Sequence, residues 1–388
     1  MQKKLFTPFS IRGVTFKNRI VLSPMLQYCA DNGHVNDWHL THYAKFAAGG
    51  AGLVFVESTK VDPRGCSTPR DLGLWKDEFI APLKRIADLI KVNGAVAGIQ
   101  LGHSGRKARR SVPWEGRTPL MQCPGVDHGE TWELIAPSAI PQSEKYATPR
   151  PLSIADIQEC VRHWGQAAAR AEKAGFEVLE LHAAHGYLIH QFLSPASNHR
   201  DDEYGGTIQK RLRFAIEVVD EVRRHWPKEK PLFLRVSAVD ELGWSTLDSI
   251  EVAKVLKTHG VDVIDCSAGG IADMAPPADQ VGYGYQVDYA RQIKAGANIA
   301  TMAVGMIIHA DQAEQILATD SADLVALGRE MLHNPHWPID AAQKLGVEMP
   351  FAQMPRAYAY WLEKRALVPG IQSSTVQRGI HTETGAGV

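Results

Sequence analysis

The chain has 388 residues, 45% of them hydrophobic and 22% charged, with a formal net charge of −1. That is the composition of an ordinary folded protein, and near-neutral charge excludes a general electrostatic pull toward nucleic acid or an anionic membrane. No apolar stretch reaches a bilayer span, and the dispersed Cys29, Cys66, Cys123, Cys160 and Cys266 form no Cys-x-x-Cys pair, which argues against a disulfide framework and against zinc or iron–sulfur ligation.

The length admits two or three small domains or one large α/β barrel. The N-terminal MQKKLFTPFSIRG lacks the apolar core of a signal peptide, so a cytoplasmic protein is expected, and this segment is predicted to cap a barrel bottom. Strand-like runs then recur: RIVLSP (19–24), AGLVFVES (51–58), VAGIQL (96–101), FEVLELH (176–182), PLFLRVS (231–237), VDVIDCS (261–267), IATMAVG (299–305) and ADLVALG (322–328). They are short, continuously apolar and rich in Val, Ile and Leu, as strands buried on both faces must be.

Amphipathic helices separate them. Residues 79–94 place Ile80, Leu83, Ile86 and Ile90 on one face. Ser153 and Asp156 have capping-box spacing at the start of a helix that closes at Gly175, and 211–226 aligns Phe214, Val218 and Val222. GGAG (49–52) follows a helix and precedes a strand, the wrong order for a dinucleotide fingerprint, so it reads as a tight αβ turn. Eight strand–helix units predict a (β/α)8 TIM barrel rather than two Rossmann halves. The long segment 103–153, rich in Pro, Gly and Trp, is expected to lid the catalytic face. Residues 1–365 are expected to form a single domain and 366–388 a loose extension.

Barrel chemistry sits at the C-terminal strand ends. Here these carry Ser23-Pro24-Met25, Glu57-Ser58, Gln100, His182 with His185, Arg235, Ser267, Gly305 and Gly328-Arg329. No pair of carboxylates suits glycoside hydrolysis. His182 and His185 could be metal ligands, but no third ligand joins them, or they could be satisfied structural residues. The loops after strands 7 and 8 form the usual phosphate site of barrels, so a phosphate-bearing cofactor is expected with its ring near Arg235 and Gln100. Fixed positive charge at Arg235, against a ring that becomes anionic on reduction, would tune a flavin. The basic run Arg106, Lys107, Arg109 and Arg110 is either a solvated lid face or an attractor for an anionic substrate or coenzyme phosphate.

Motifs in order along the chain now add a resemblance. SPM (23–25), HYAKFAAGGAGLVFVEST (42–59), GIQLGHSGRKA (98–108), PWEG (113–116), IAPSAI (135–140), ELHAAHGYLIHQFLSPASNHRDDEYGG (180–206), LRVS (234–237) and ALGREMLHNPHW (326–337) resemble the Old Yellow Enzyme family of FMN-dependent ene-reductases. The subgroup resembled is that of the xenobiotic reductases and their thermophilic-like relatives, over about residues 4 to 365.

The resemblance implies that Ser23, Pro24, Met25, Leu26, Ser58 and Gln100 lie at the flavin ring. It implies Arg235 at the N1/O2 side of the ring, and Gly305, Gly328 and Arg329 at the phosphate. His182 and His185 would donate to the oxygen of an activating group, and Tyr28 and Tyr187 would flank the substrate, with Tyr187 as proton donor. Lys107 would stand at the active-site edge. NADPH or NADH would be the reductant and a small activated alkene the substrate, with no metal. In that subgroup a Tyr-x-x-Trp-Leu stretch crosses a dimer interface. Tyr358, Trp361 and Leu362 match it, so a homodimer or larger is expected with Trp361 reaching the partner's site.

Three positions depart from the pattern. Leu26 stands where the subgroup has Cys and the wider family Thr, and it cannot donate to the flavin O4. Val304 replaces a frequent Trp, and Lys210 replaces Asn in YGGTIQKRLRF. The expected activity is NAD(P)H:ene reduction. A desaturase, demethylase or nitro-ester reductase on the same scaffold is the alternative, and a metal-dependent hydrolase using the two histidines is a more distant one.

Overall fold

In the computed structural model, residues 3–120, 132–274, 278–371 and 373–376 are described. Eight parallel strands close into a barrel: β1 (Ile20–Leu22), β2 (Leu53–Lys60), β3 (Val96–Gly102), β4 (Val178–Ala183), β5 (Leu232–Ser237), β6 (Val263–Ser267), β7 (Ala300–Ala303) and β8 (Leu324–Leu327). Closure comes from β8 against β1, with Val325 opposite Ile20. All eight lie within or across the predicted runs. β2 differs usefully: it continues two residues past Ser58, with a register break between Val56 and Thr59.

Inside the barrel, Val21, Phe55, Phe233, Val263, Met302 and Leu324 form one buried cluster. A hairpin, Phe9–Ile11 with Val14–Phe16, stoppers the bottom, and Phe16 meets the Phe233 ring edge-on at 6.5 Å. Burying each such side chain contributes about 1.5–3 kcal/mol. The closed bottom leaves the C-terminal mouth as the open end.

Around the barrel the helices obey their sequence periodicity. Ile80–Val92 buries Leu83, Ile86, Ala87 and Ile90, while Ile80 itself is half-buried. Ile154–Lys173 begins with the reciprocal Ser153–Asp156 cap. Ile208–His225 buries Phe214, Val218 and Val222, with Lys210 in its first turn. The GGAG stretch is a turn after helix Asp37–Ala48, and a Cβ on Gly49 would lie 2.0 Å from the Pro335 carbonyl oxygen.

The segment after β3 crosses the mouth. Arg106 Nη2 donates to the Ile271 carbonyl and Gln142 Nε2 to that of Ala272, which ties this segment to the loop after β6. After the barrel, helix Arg356–Ala366 packs Ala359 against Ile339 and Phe351. Beyond it, Ser373 and Thr375 donate to Gln343 and Asp340 of helix Trp337–Lys344, while 377–388 lie outside the described residues. Cys29, Cys66, Cys160 and Cys266 are free thiols; Cys123 lies outside the described residues. Among the described residues, no helix is long and apolar enough to cross a membrane.

Candidate active site

Two cavities meet at the mouth and share His185 as a wall. The larger, about 460 Å³, runs from Ser23, Pro24 and Met25 past Arg235 and Ser267 to Gly305, Gly328 and Arg329. This brings together residues from β1, β5, β6, β7 and β8. Gly305 has φ +110°, and a Cβ there would stand 2.9 Å from the Gln286 side chain. At Gly328 it would stand 3.1 Å from Met25 Sδ. Both glycines keep the backbone exposed to the cavity at places where any side chain would crowd it.

Arg235 is 7% exposed. Its Nη1 donates to Ser23 Oγ at 2.9 Å and lies 3.1 Å from Asp265, while its buried Nε has no partner among the described residues. An orphaned guanidinium N–H needs an acceptor. With the two glycine loops, it fits a ring-and-phosphate cofactor such as FMN.

Beneath Arg235 lie two buried carboxylates that the strand-end reading did not connect to it. Asp265 on β6 is pushed up to about 6 by burial, against the pull of Arg235. Glu180 on β4 is raised well above the usual carboxylate range by burial and then by Asp265. Gln100, expected at the flavin, donates its amide to Glu180 at 2.8 Å and lines neither cavity. Ser58 is buried, and its Oγ accepts from Lys60 Nζ at 3.1 Å. Leu26 is half-buried and lines neither cavity.

The histidines answer to backbone geometry. His182 is the fifth residue of β4, whereas His185 sits just past the strand with φ +55°, which turns its ring back toward His182. The Ala184 N–H donates to His182 Nδ1, so the proton of that ring is on Nε2. His182 Nε2 then faces His185 Nδ1 at 3.3 Å, and His185 Nε2 faces Ser267 Oγ at 2.7 Å. Burial first, with Arg235 contributing, holds both rings well below the usual histidine range, so both are neutral at pH 7. Among the described residues, no group of three or more His, Cys, Asp and Glu is placed to hold a metal ion.

The smaller cavity, about 190 Å³, is walled by His185, Tyr28, Tyr187 and Lys107. Tyr187 packs its ring 4.6 Å from that of His182. Lys60 Nζ lies 4.8 Å and Lys107 Nζ 5.8 Å from the Tyr187 ring centroid. Tyr28, at φ +54°, meets Trp114 edge-on at 5.8 Å, and burial raises its phenol above the usual range. Of the two phenols, Tyr187 is the one flanked by two lysines.

Lys60 escaped the sequence reading. It is fully buried, 3.5 Å from Asp71. A charged residue after an apolar run reads as a strand stop, and the irregularity in β2 that carries Lys60 inward has no local signature. Trp361 is 66% exposed on the helix after the barrel and lines neither mouth cavity.

Comparison with known proteins agrees with this geometry. Residues 4–348 match the model of the NADH:flavin oxidoreductase / NADH oxidase family. The chain is 47% identical over 350 residues to an NADPH dehydrogenase of Geobacillus sp. (strain WCH70), covering 89% of this chain and 96% of that one. It is 45% identical over 356 residues to an NADPH dehydrogenase of Bacillus subtilis (strain 168), covering 90% and 97%. The structure of morphinone reductase superposes with a TM-score of 0.71 at 26% identity, covering 88% of this chain and 89% of that one. With a barrel, a cofactor-sized cavity and this near-complete match, the chain belongs to the NADH:flavin oxidoreductase family, that of Old Yellow Enzyme.

Proposed function

We propose that the protein is an FMN-dependent NAD(P)H:ene-reductase that adds hydride to the β-carbon of an electron-poor alkene in a ping-pong cycle. The observation that carries this reading is that His185, the wall common to both cavities, sets its Nδ1 3.3 Å from Nε2 of His182 directly behind it. Relatives named NADPH dehydrogenase support the reductant class.

FMN would be held by Pro24 and Met25, by Arg235, and at its phosphate by Gly305, Gly328 and Arg329, and when bound it supplies hydride chemistry. The histidines handle the charge that builds on the activating oxygen, as neutral, preorganised donors. In the free protein His182 donates to His185. A substrate oxygen arriving there accepts the hydrogen bond of His182 Nε2–H in place of His185, and the proton stays on His182. His185 then carries its own proton on Nδ1, and the Ser267 hydroxyl donates to the vacated Nε2. Tyr187 delivers the proton to the α-carbon, and Lys60 and Lys107, whose amino groups lie 4.8 and 5.8 Å from its ring centroid, stabilise the phenolate left behind, Lys107 taking up a proton as that charge appears.

Anaerobic titration tests the proposal. The yellow protein should bleach with NADPH or NADH and regain its colour on addition of cyclohexenone, with cyclohexanone formed in equal amount. Bleaching without recovery across enones, maleimides and nitroalkenes would remove ene reduction and favour a desaturase or demethylase.

The assembly is part of the same proposal. Helix Arg356–Ala366 exposes Tyr358, Tyr360 and Trp361 at 52%, 40% and 66%. Exposed aromatic side chains concentrate at interfaces. We infer a homodimer or larger in which Trp361 completes the partner's site. Light scattering should give at least twice 42.7 kDa. Trp361→Ala should raise KM for small enones by roughly fivefold or more while flavin stays bound. A monomer with full activity would dispose of the idea.

A further inference from the structure

The segment after β3 holds three basic side chains, Arg106 and Arg110 buried and Lys107 half-buried, with no carboxylate in ion-pair reach among the described residues. Arg106, 3% exposed, donates to the carbonyls of Ile140, Pro141 and Ile271. Lys107 Nζ donates to the carbonyls of His185 and Gly270 at 2.7 and 2.8 Å. Arg110, 6% exposed, donates to the Gln142 amide oxygen and stacks 3.7 Å over the Tyr146 ring. The Nε atoms of Arg106 and Arg110 are buried and have no hydrogen-bond partner among the described residues.

Acids nearby are engaged elsewhere. Asp71 accepts from the backbone and hydroxyls of Ser67 and Thr68 and faces Lys60. Glu241 accepts from the backbone N–H groups of Gly270, Ile271 and Ala272. Asp273 accepts from Ser143. Carbonyl dipoles alone compensate buried charge poorly, so such a cluster is costly until an anion joins it.

Its outlet is the smaller cavity. Lys107, Arg110 and Arg117 line it together with Tyr28, His185 and Tyr187, and among the described residues no acid does. An anion there would stand beside the site of the activating oxygen. We propose that this cavity binds a negatively charged oxygen group, a carboxylate or phosphate, carried by the molecule that occupies the active site, with Arg110, Arg117 and Lys107 as its counter-charges. The inference rests on the ene-reductase reading for the identity of that molecule. Two carriers share the chemistry: an alkene bearing a carboxylate arm, and the 2′-phosphate that distinguishes NADPH from NADH. Burial, then Arg110 and Arg117, pushes Lys107 down to about 7. An arriving anion restores its charge and therefore draws in a proton.

The test uses the FMN-loaded protein and ratios, which cancel any general loss of activity. One arm compares kcat/KM for a cyclohexenone carrying a ring-bound acetate with its methyl ester. A second compares anaerobic flavin reduction by NADPH and NADH. A third measures binding without turnover, by calorimetric titration of 4-hydroxybenzoate against its methyl ester in two buffers at pH 7.5. The wild-type protein should favour the charged partner by about tenfold or more in the first or second arm, and that arm names the carrier. It should also bind the benzoate more tightly, with proton uptake. Arg110→Gln and the exposed Arg117→Gln should collapse the ratios, and Arg110→Lys should keep most of the preference. Ratios near one in all three arms, or ratios unchanged in both Gln variants, overturn the inference. Failure to turn over any neutral alkene overturns the ene-reductase reading instead, and the second and third arms still decide the anion site.

Discussion

The double replacement His182→Ala with His185→Ala should keep flavin bound and keep NAD(P)H oxidation within about tenfold, yet lower kcat/KM for enones by about 10³-fold or more. Losing one preorganised oxyanion donor costs roughly 2.7–4 kcal/mol, and paired donors lose less than twice that because they act as a unit. Ser267→Ala should give a smaller version of the same defect. It removes the 2.7 Å partner that lets His185 carry its proton on Nδ1. Because both rings are held well below the usual histidine range, the wild-type rate should show no histidine titration between about pH 6 and 8. Anaerobic stopped-flow separates the half-reactions. A double variant that still reduces enones at a tenth of the normal rate would remove the histidines from the mechanism.

Arg235→Met should be the most destabilising change at the mouth, because it strips Asp265 and Glu180 of their counter-charge inside the barrel. Removing one member of a buried pair costs about 3–5 kcal/mol. The loss should depend on pH, and its sign follows from the carboxylates. Asp265 is raised to about 6 in the folded protein from its ordinary 3.8. A raised carboxylate contributes stability that is fully present below its unfolded pKa and is lost as pH rises through the folded one. Without Arg235 both acids rise further, so the deficit should be small near pH 5 and large at pH 8. Urea midpoints of the two proteins at those pH values measure it. An equal deficit at both would show that lost packing, rather than unpaired charge, sets the cost. Adding Asp265→Asn to Arg235→Met should recover part of the stability at pH 8, since it removes a charge that has nothing to meet.

Much of this molecule was legible along the chain. Strands buried on both faces have no polar side to show, so each reads as a short apolar run. Helices with one dry face repeat their apolar residues every three or four positions. Gly50 and Gly175 mark helix ends because the backbone turns left-handed there. These signals are local, and together with eight repeats they determined the barrel, its catalytic end and most of the residues at its mouth. The fates of charged side chains were decided otherwise. Lys60 drew no reading from the sequence, yet it is buried beside Asp71 under the Tyr187 ring. Arg106 and Arg110 could be read as solvated, yet Arg106 is closed in by Ile271, 165 residues away. Asp265 matters because the order of strands sets it beside Arg235 on β5. The φ of +55° that aims His185 at His182 has no counterpart in the spacing of the two residues. Burial along one element follows from its own periodicity, and so the sequence by itself determined it. The energy of a charge depends on which groups from distant elements displace its water, and only the tertiary structure decided that.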